Sequence, residues 1–120
     1  MDRTLLLIAA FAGFTGVTLG AFGAHGLRDR ISPDMLTIYQ TGVQYHLIHA
    51  VALLAAAALA PRTAGRLVPA AGWLFALGII VFSGSLYVMA LTGMTRLGMV
   101  TPLGGLAFLA GWALLALAAF

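Results

Sequence analysis

The side chains of this chain that can do chemistry are few and fall in short blocks: His25; Tyr39, Tyr45, His46 and His49; Ser83, Ser85 and Tyr87; and Thr101. Imidazole is the one side chain whose ordinary pKa lies near neutrality, so the three histidines suit proton transfer or ligation. Tyr39, Gly42, His46 and His49 recur at spacings of three and four and so share a helical face, with Tyr45 beside it and Gln40 and Gln44 pointing away. On the functional reading His46 and His49 bind a ligand or metal or relay a proton, and His25 joins them from another segment. On the plainer reading each histidine hydrogen-bonds a neighbouring backbone or hydroxyl group and locks helices together.

Neither a metal nor another cofactor is expected. The chain has no cysteine, and no carboxylate falls inside its apolar segments to complete a shell around three histidines. A bis-histidine haem between His25 and His46 or His49 is geometrically conceivable, but no feature singles it out. Ser83 and Tyr87 share one helical face and Ser85 takes the other. A serine nucleophile needs a base and a third orienting group, and only Asp29 and Asp34 stand near, at a segment boundary. No catalytic residue is therefore assigned, and an enzyme is the third choice among functions. The candidate polar pocket comprises His25, Tyr45, His46, His49, Ser83, Ser85 and Tyr87.

The elements that must position these groups are read from charge and hydropathy. Of 120 residues 62% are hydrophobic and 8% charged, too few charges to clothe a water-soluble surface, so the apolar surplus must face lipid. Stretches 4–27, 35–61, 67–95 and 97–120 carry no charged side chain, and each exceeds the roughly 20 residues that cross a hydrocarbon core of about 30 Å. Unpaired strands are not tolerated in lipid, so four helices follow, with spans at about 4–27, 36–60, 69–91 and 102–120. Ser32, Pro33 and Asp34 read as cap, first-turn proline and first-turn acid, and Thr101 with Pro102 repeats the cap signature. A helix running from Pro33 to Ala60 would measure roughly 42 Å. Its first turns then lie in the headgroup layer as a short juxtamembrane helix. The first span's glycines, Gly13, Gly16, Gly20 and Gly23, read as helix-packing positions, Gly16 and Gly20 forming a small-xxx-small pair. No strand precedes Gly20–Gly26, so a nucleotide loop is rejected. Trp73 and Trp112 read as packing or interfacial anchors.

All 120 residues form one membrane domain, with short connections that leave function to the bundle and its faces. Arg3, Arg62 and Arg66 fall on the side of the termini and Arg28, Arg30 and Arg96 on the far side, a tie under the positive-inside rule. The free amino terminus tips the expectation to cytoplasmic termini. Scattered arginines suit lipid headgroups rather than a nucleic-acid groove. Most of the polar side chains inside the spans fall in the far half, whereas residues 5–10, 51–60, 70–77 and 113–120 are almost wholly apolar. Polar groups inside a membrane usually turn toward protein or water, which predicts a pocket opening to the far side.

The blocks 20–27, 39–50 around Gly42, Tyr45 and His49, 82–87 and 101–105 together resemble the family known as domain of unknown function 423. It includes a bacterial inner-membrane group and the animal transmembrane protein 256. The resemblance reaches across all four spans and implies a small four-span protein of the inner (plasma) membrane, with no activity to transfer. It implies recurrent polar positions at His25, Tyr45 and His49, and glutamine in place of His46 in many members, which argues against a His46–His49 metal pair.

The expectation is an all-α, four-helix transmembrane bundle with a short juxtamembrane helix between its first two spans. Its leading function is non-enzymatic: the polar cluster binds a small ligand or ion, or docks a partner membrane protein. The runner-up is a homo-oligomeric conduit for protons or a small solute. The expected partners are the lipid bilayer and either further copies of the chain or a partner membrane protein.

Overall fold

In the computed structural model, which describes residues 1–120, four helices account for nearly the whole chain. Helix α1 spans Arg3–Leu27. The Asp2 side chain caps it by accepting from the Leu5 amide at 3.1 Å, and the Asp2 amide donates to the Ala57 carbonyl at 3.0 Å. One residue thus satisfies an open helix start and ties it to the end of the next helix. The last five residues of α1, Gly23–Leu27, widen into a π turn. The short juxtamembrane helix expected at the start of the second span is not a separate element, because its residues form the first turns of the helix that begins at Pro33. After a tight turn, α2 runs unbroken over Pro33–Leu59 and closes in a 3-10 turn at Ala60–Arg62. Ser32 caps α2 by accepting from the Met35 amide at 3.2 Å, with Pro33 and Asp34 in the first turn.

Helix α3 spans Leu67–Thr92 and contains a second π turn at Ile79–Ser83. Gly93 ends it with a φ of 75°, a left-handed conformation that glycine adopts without steric cost. A separate 3-10 segment, Thr95–Met99, precedes α4 at Thr101–Ala118. Here the expected cap is not formed. Thr101 is already helical and its hydroxyl donates back to the Leu97 carbonyl at 3.1 Å, because the 3-10 turn carries the chain straight into α4.

Helix α1 packs on α2, α4 packs on α3, and α2 meets α3 in the middle. The Cα extents of 49 × 26 × 17 Å describe a flattened bundle as long as a bilayer is thick. The core concentrates toward the termini side, where Leu5, Leu53, Ala56, Ala57, Ala71 and Phe75 are wholly buried. Lipid is as apolar as leucine, so burial alone does not draw these helices together. Small residues that let backbones approach, together with interhelical hydrogen bonds, must do it. The outward faces are apolar, with Leu7, Phe11, Phe14, Ile80, Leu106 and Leu109 among the most exposed. All four helices are long and apolar enough to cross a membrane.

Candidate functional site

The central polar contact joins three helices. His46 of α2 is buried, with Nδ1 2.8 Å from the Tyr87 hydroxyl of α3 and Nε2 3.2 Å from the Thr15 hydroxyl of α1. The Thr15 hydroxyl has two backbone carbonyls in reach, Phe11 at 2.9 Å and Ala12 at 3.2 Å, and with its single hydrogen on either it accepts from His46. In that arrangement His46 Nε2 bears the hydrogen and the Tyr87 hydroxyl donates to the bare Nδ1. Gly42 makes room for this arrangement, since a Cβ there would come within 2.9 Å of the Tyr87 ring. Beside it the buried Ser83 donates to the Gly42 carbonyl at 2.7 Å, and Tyr39 donates to the Leu19 carbonyl.

One turn further along α2, His49 faces the opposite helix and holds the opposite tautomer. The Trp112 indole N–H of α4 can only donate, and it meets His49 Nε2 at 3.1 Å. Nδ1 thus carries the hydrogen and donates to the Tyr45 carbonyl at 2.7 Å. The His49 ring lies flat on Phe108, with centroids 3.6 Å apart and planes 9° apart. Ser85 points away from Ser83 and bonds the Thr101 hydroxyl of α4 at 2.6 Å. The π turn at Ile79–Ser83 holds one residue more than an α turn, which advances the following residues by about 100° around the axis. It sets which serine meets which helix.

Two lateral grooves flank these contacts. One, of about 390 Å³, lies between α1 and α3 and has Thr15, His46 and Tyr87 among otherwise mostly apolar residues. The polar atoms of those three are already committed to one another. The other, of about 540 Å³, opens between α2 and α4 and is lined by Tyr45, His49, Phe82, Leu106, Phe108 and Trp112, among others. Tyr45 packs its ring on Phe82 at 4.7 Å and is 40% exposed. Only its backbone carbonyl is engaged by a side chain; its hydroxyl donates to no group of the chain.

The residues singled out from the sequence are thus brought together in pairs across helix interfaces, not around one vestibule. His46 meets Tyr87, His49 and Tyr45 share the α2–α4 groove, and Ser83 and Ser85 serve different helices. His25 stands apart, exposed on the π turn at the far side. No three histidines or carboxylates approach one another closely enough to hold a metal. Of the glycines, Gly16, Gly20 and Gly23 lie against Leu47, Val43 and Tyr39 of α2, but Gly13 has nothing within 4 Å of where a Cβ would stand. It faces the open α1–α2 surface groove instead of a neighbouring helix. Sequence reasoning missed Thr15, Phe108 and the hydrogen-bonding role of Trp112. An indole inside a bundle commonly finds an acceptor, which was the available signal for Trp112; nothing local marks Thr15 or Phe108.

The model of the family described as "Protein of unknown function (DUF423)" matches residues 19–105. The UPF0382 membrane protein YwdK of Bacillus subtilis is 44% identical over 118 residues, which cover 98% of this chain and 96% of the relative. The UPF0382 inner membrane protein YgdD of Escherichia coli K12 is 41% identical over 114 residues, covering 95% of this chain and 87% of the relative. No solved structure matches. With its four spans and these relatives, the chain belongs to the DUF423 family and is a multi-pass protein of the inner (plasma) membrane.

Proposed function

We propose that this chain is a non-enzymatic, membrane-embedded binding protein that takes a lipid-soluble molecule from the bilayer into the groove between α2 and α4. The observation that carries this reading is the Tyr45 hydroxyl. Tyr39 and Tyr87 both donate hydrogen bonds, and no buried side-chain polar atom lacks a partner, yet Tyr45 lines a groove with its hydroxyl uncommitted. Counting from Pro33, Tyr45 lies roughly 18 Å along a helix of about 40 Å, inside the hydrocarbon layer. A hydroxyl without a partner in hydrocarbon is costly, and a ligand that accepts from it recovers that cost. The groove opens sideways toward lipid, so access needs no aqueous route in either orientation of the chain. A proton or solute conduit through one copy finds less support, since Leu5, Leu53, Ala56 and Phe75 fill the termini half of the interior.

The test is extraction. Protein purified in mild detergent is extracted with organic solvent, and the extract is compared by mass spectrometry with that from Leu106→Trp, which fills the groove from its rim. The reading expects a near-stoichiometric lipid-soluble molecule in the unaltered protein that is depleted in the variant. Identical extracts containing only bulk phospholipid would count against it.

A further inference from the structure

We infer that the ligand of the α2–α4 groove is a neutral, planar, lipid-soluble molecule whose ring carries an acceptor oxygen, such as a ring carbonyl, that accepts from the Tyr45 hydroxyl. This rests on the binding role proposed above and adds the chemical class.

The polarity of the groove decides the first part. His49 Nε2, its one side-chain acceptor nitrogen, is taken by the Trp112 indole N–H, and that indole has no lone pair to offer. What remains uncommitted is a phenol hydroxyl, and because a buried donor hydrogen without a partner is the rarer and costlier omission than an unused lone pair, the matching group on the ligand is an acceptor. Charge decides the second. No charged side chain lines the groove, and a carboxylate or ammonium brought there would be desolvated with no counter-ion. Shape decides the third. Tyr45, Phe82 and Phe108 stand within 4.7 to 6.2 Å of one another by ring centroid, with Trp112 at 6.0 Å from the His49 ring. Such walls favour offset stacking with a flat ring, whereas an acyl chain would use neither the stacking nor the hydroxyl. A volume of about 540 Å³ suits a fused ring system bearing a short substituent.

The experiment uses the full chain in lipid nanodiscs, in a Trp73→Phe background that leaves Trp112 as the sole tryptophan, labelled as fluorotryptophan and read by fluorine NMR. The probes are menadione, a planar naphthoquinone, and methylnaphthalene, the same ring system without carbonyls. The chain has no cysteine or lysine side chain for a quinone to alkylate. Menadione should shift the Trp112 resonance saturably, and Tyr45→Phe, which keeps the ring, should weaken it about 5- to 10-fold, the worth of one hydrogen bond in apolar surroundings. Methylnaphthalene should bind more weakly by a similar factor and be indifferent to Tyr45→Phe. If both probes saturate with equal affinity and Tyr45→Phe changes neither, the acceptor class is overturned while the groove survives as an apolar site. If both shifts rise linearly with probe, as simple partitioning into lipid requires, the class and the underlying binding role fall together.

Discussion

Removing the Trp112 indole nitrogen while keeping an aromatic ring isolates the bond between α2 and α4. Trp112→Phe leaves a ring near Phe75, now 5.1 Å away by centroid, but strands His49 Nε2, whose residue is 4% exposed. Interhelical hydrogen bonds in membranes average about 0.6 kcal/mol and reach about 1.7. A buried acceptor left bare adds to that, so Trp112→Phe should cost about 2 kcal/mol. His49→Phe removes the acceptor as well and retains a ring to stack on Phe108. In the double variant no bare nitrogen remains, and the cycle should return a coupling of about 1 kcal/mol. Reversible unfolding in mixed detergent micelles, followed by far-ultraviolet circular dichroism, measures each corner. A coupling below about 0.3 kcal/mol would show that the bond does not hold these helices, and the tautomer assignment of His49 would lose its basis.

Nitrogen-15 NMR of labelled histidine should find two neutral rings of opposite tautomer, with the hydrogen on Nε2 of His46 and on Nδ1 of His49; the same tautomer in both would contradict the hydrogen-bond pattern. Gly104→Ala should destabilise by about 2 to 3 kcal/mol in the same micelle assay, because its Cβ would strike the Phe82 backbone, which cannot swing aside. Gly13→Ala, in open space, should stay within about 0.5 kcal/mol or gain slightly from helix propensity; equal losses at the two sites would refute the packing described.

The membrane spans were legible because lipid imposes a rule that acts residue by residue: charges are excluded over a length set by the bilayer. Gaps between Arg3, Arg28, Asp34, Arg62, Arg66 and Arg96 therefore mark the helices, and Ser32 with Pro33 marks a start, since capping is satisfied within four residues. Thr101 shows where that local rule stops. Its cap signature is overridden by the 3-10 turn before it, which no spacing announces.

The pairing of polar groups belongs to the tertiary structure alone. Helical period puts His46 and His49 on neighbouring positions of one face, but that face is shared by two partners: α3 and α1 claim His46, and α4 claims His49. Which of them does so depends on helix azimuth, and the π turn in α3 alters the azimuth by an inserted residue without a mark of its own in the sequence. For the same reason Gly16 and Gly13 look alike in the sequence, yet one meets Leu47 and the other faces outward. Local sequence thus determined which segments cross the bilayer. The rotation of each helix against its neighbours, a property of the packed bundle, decided that Tyr45 would line a groove with its hydroxyl unspent.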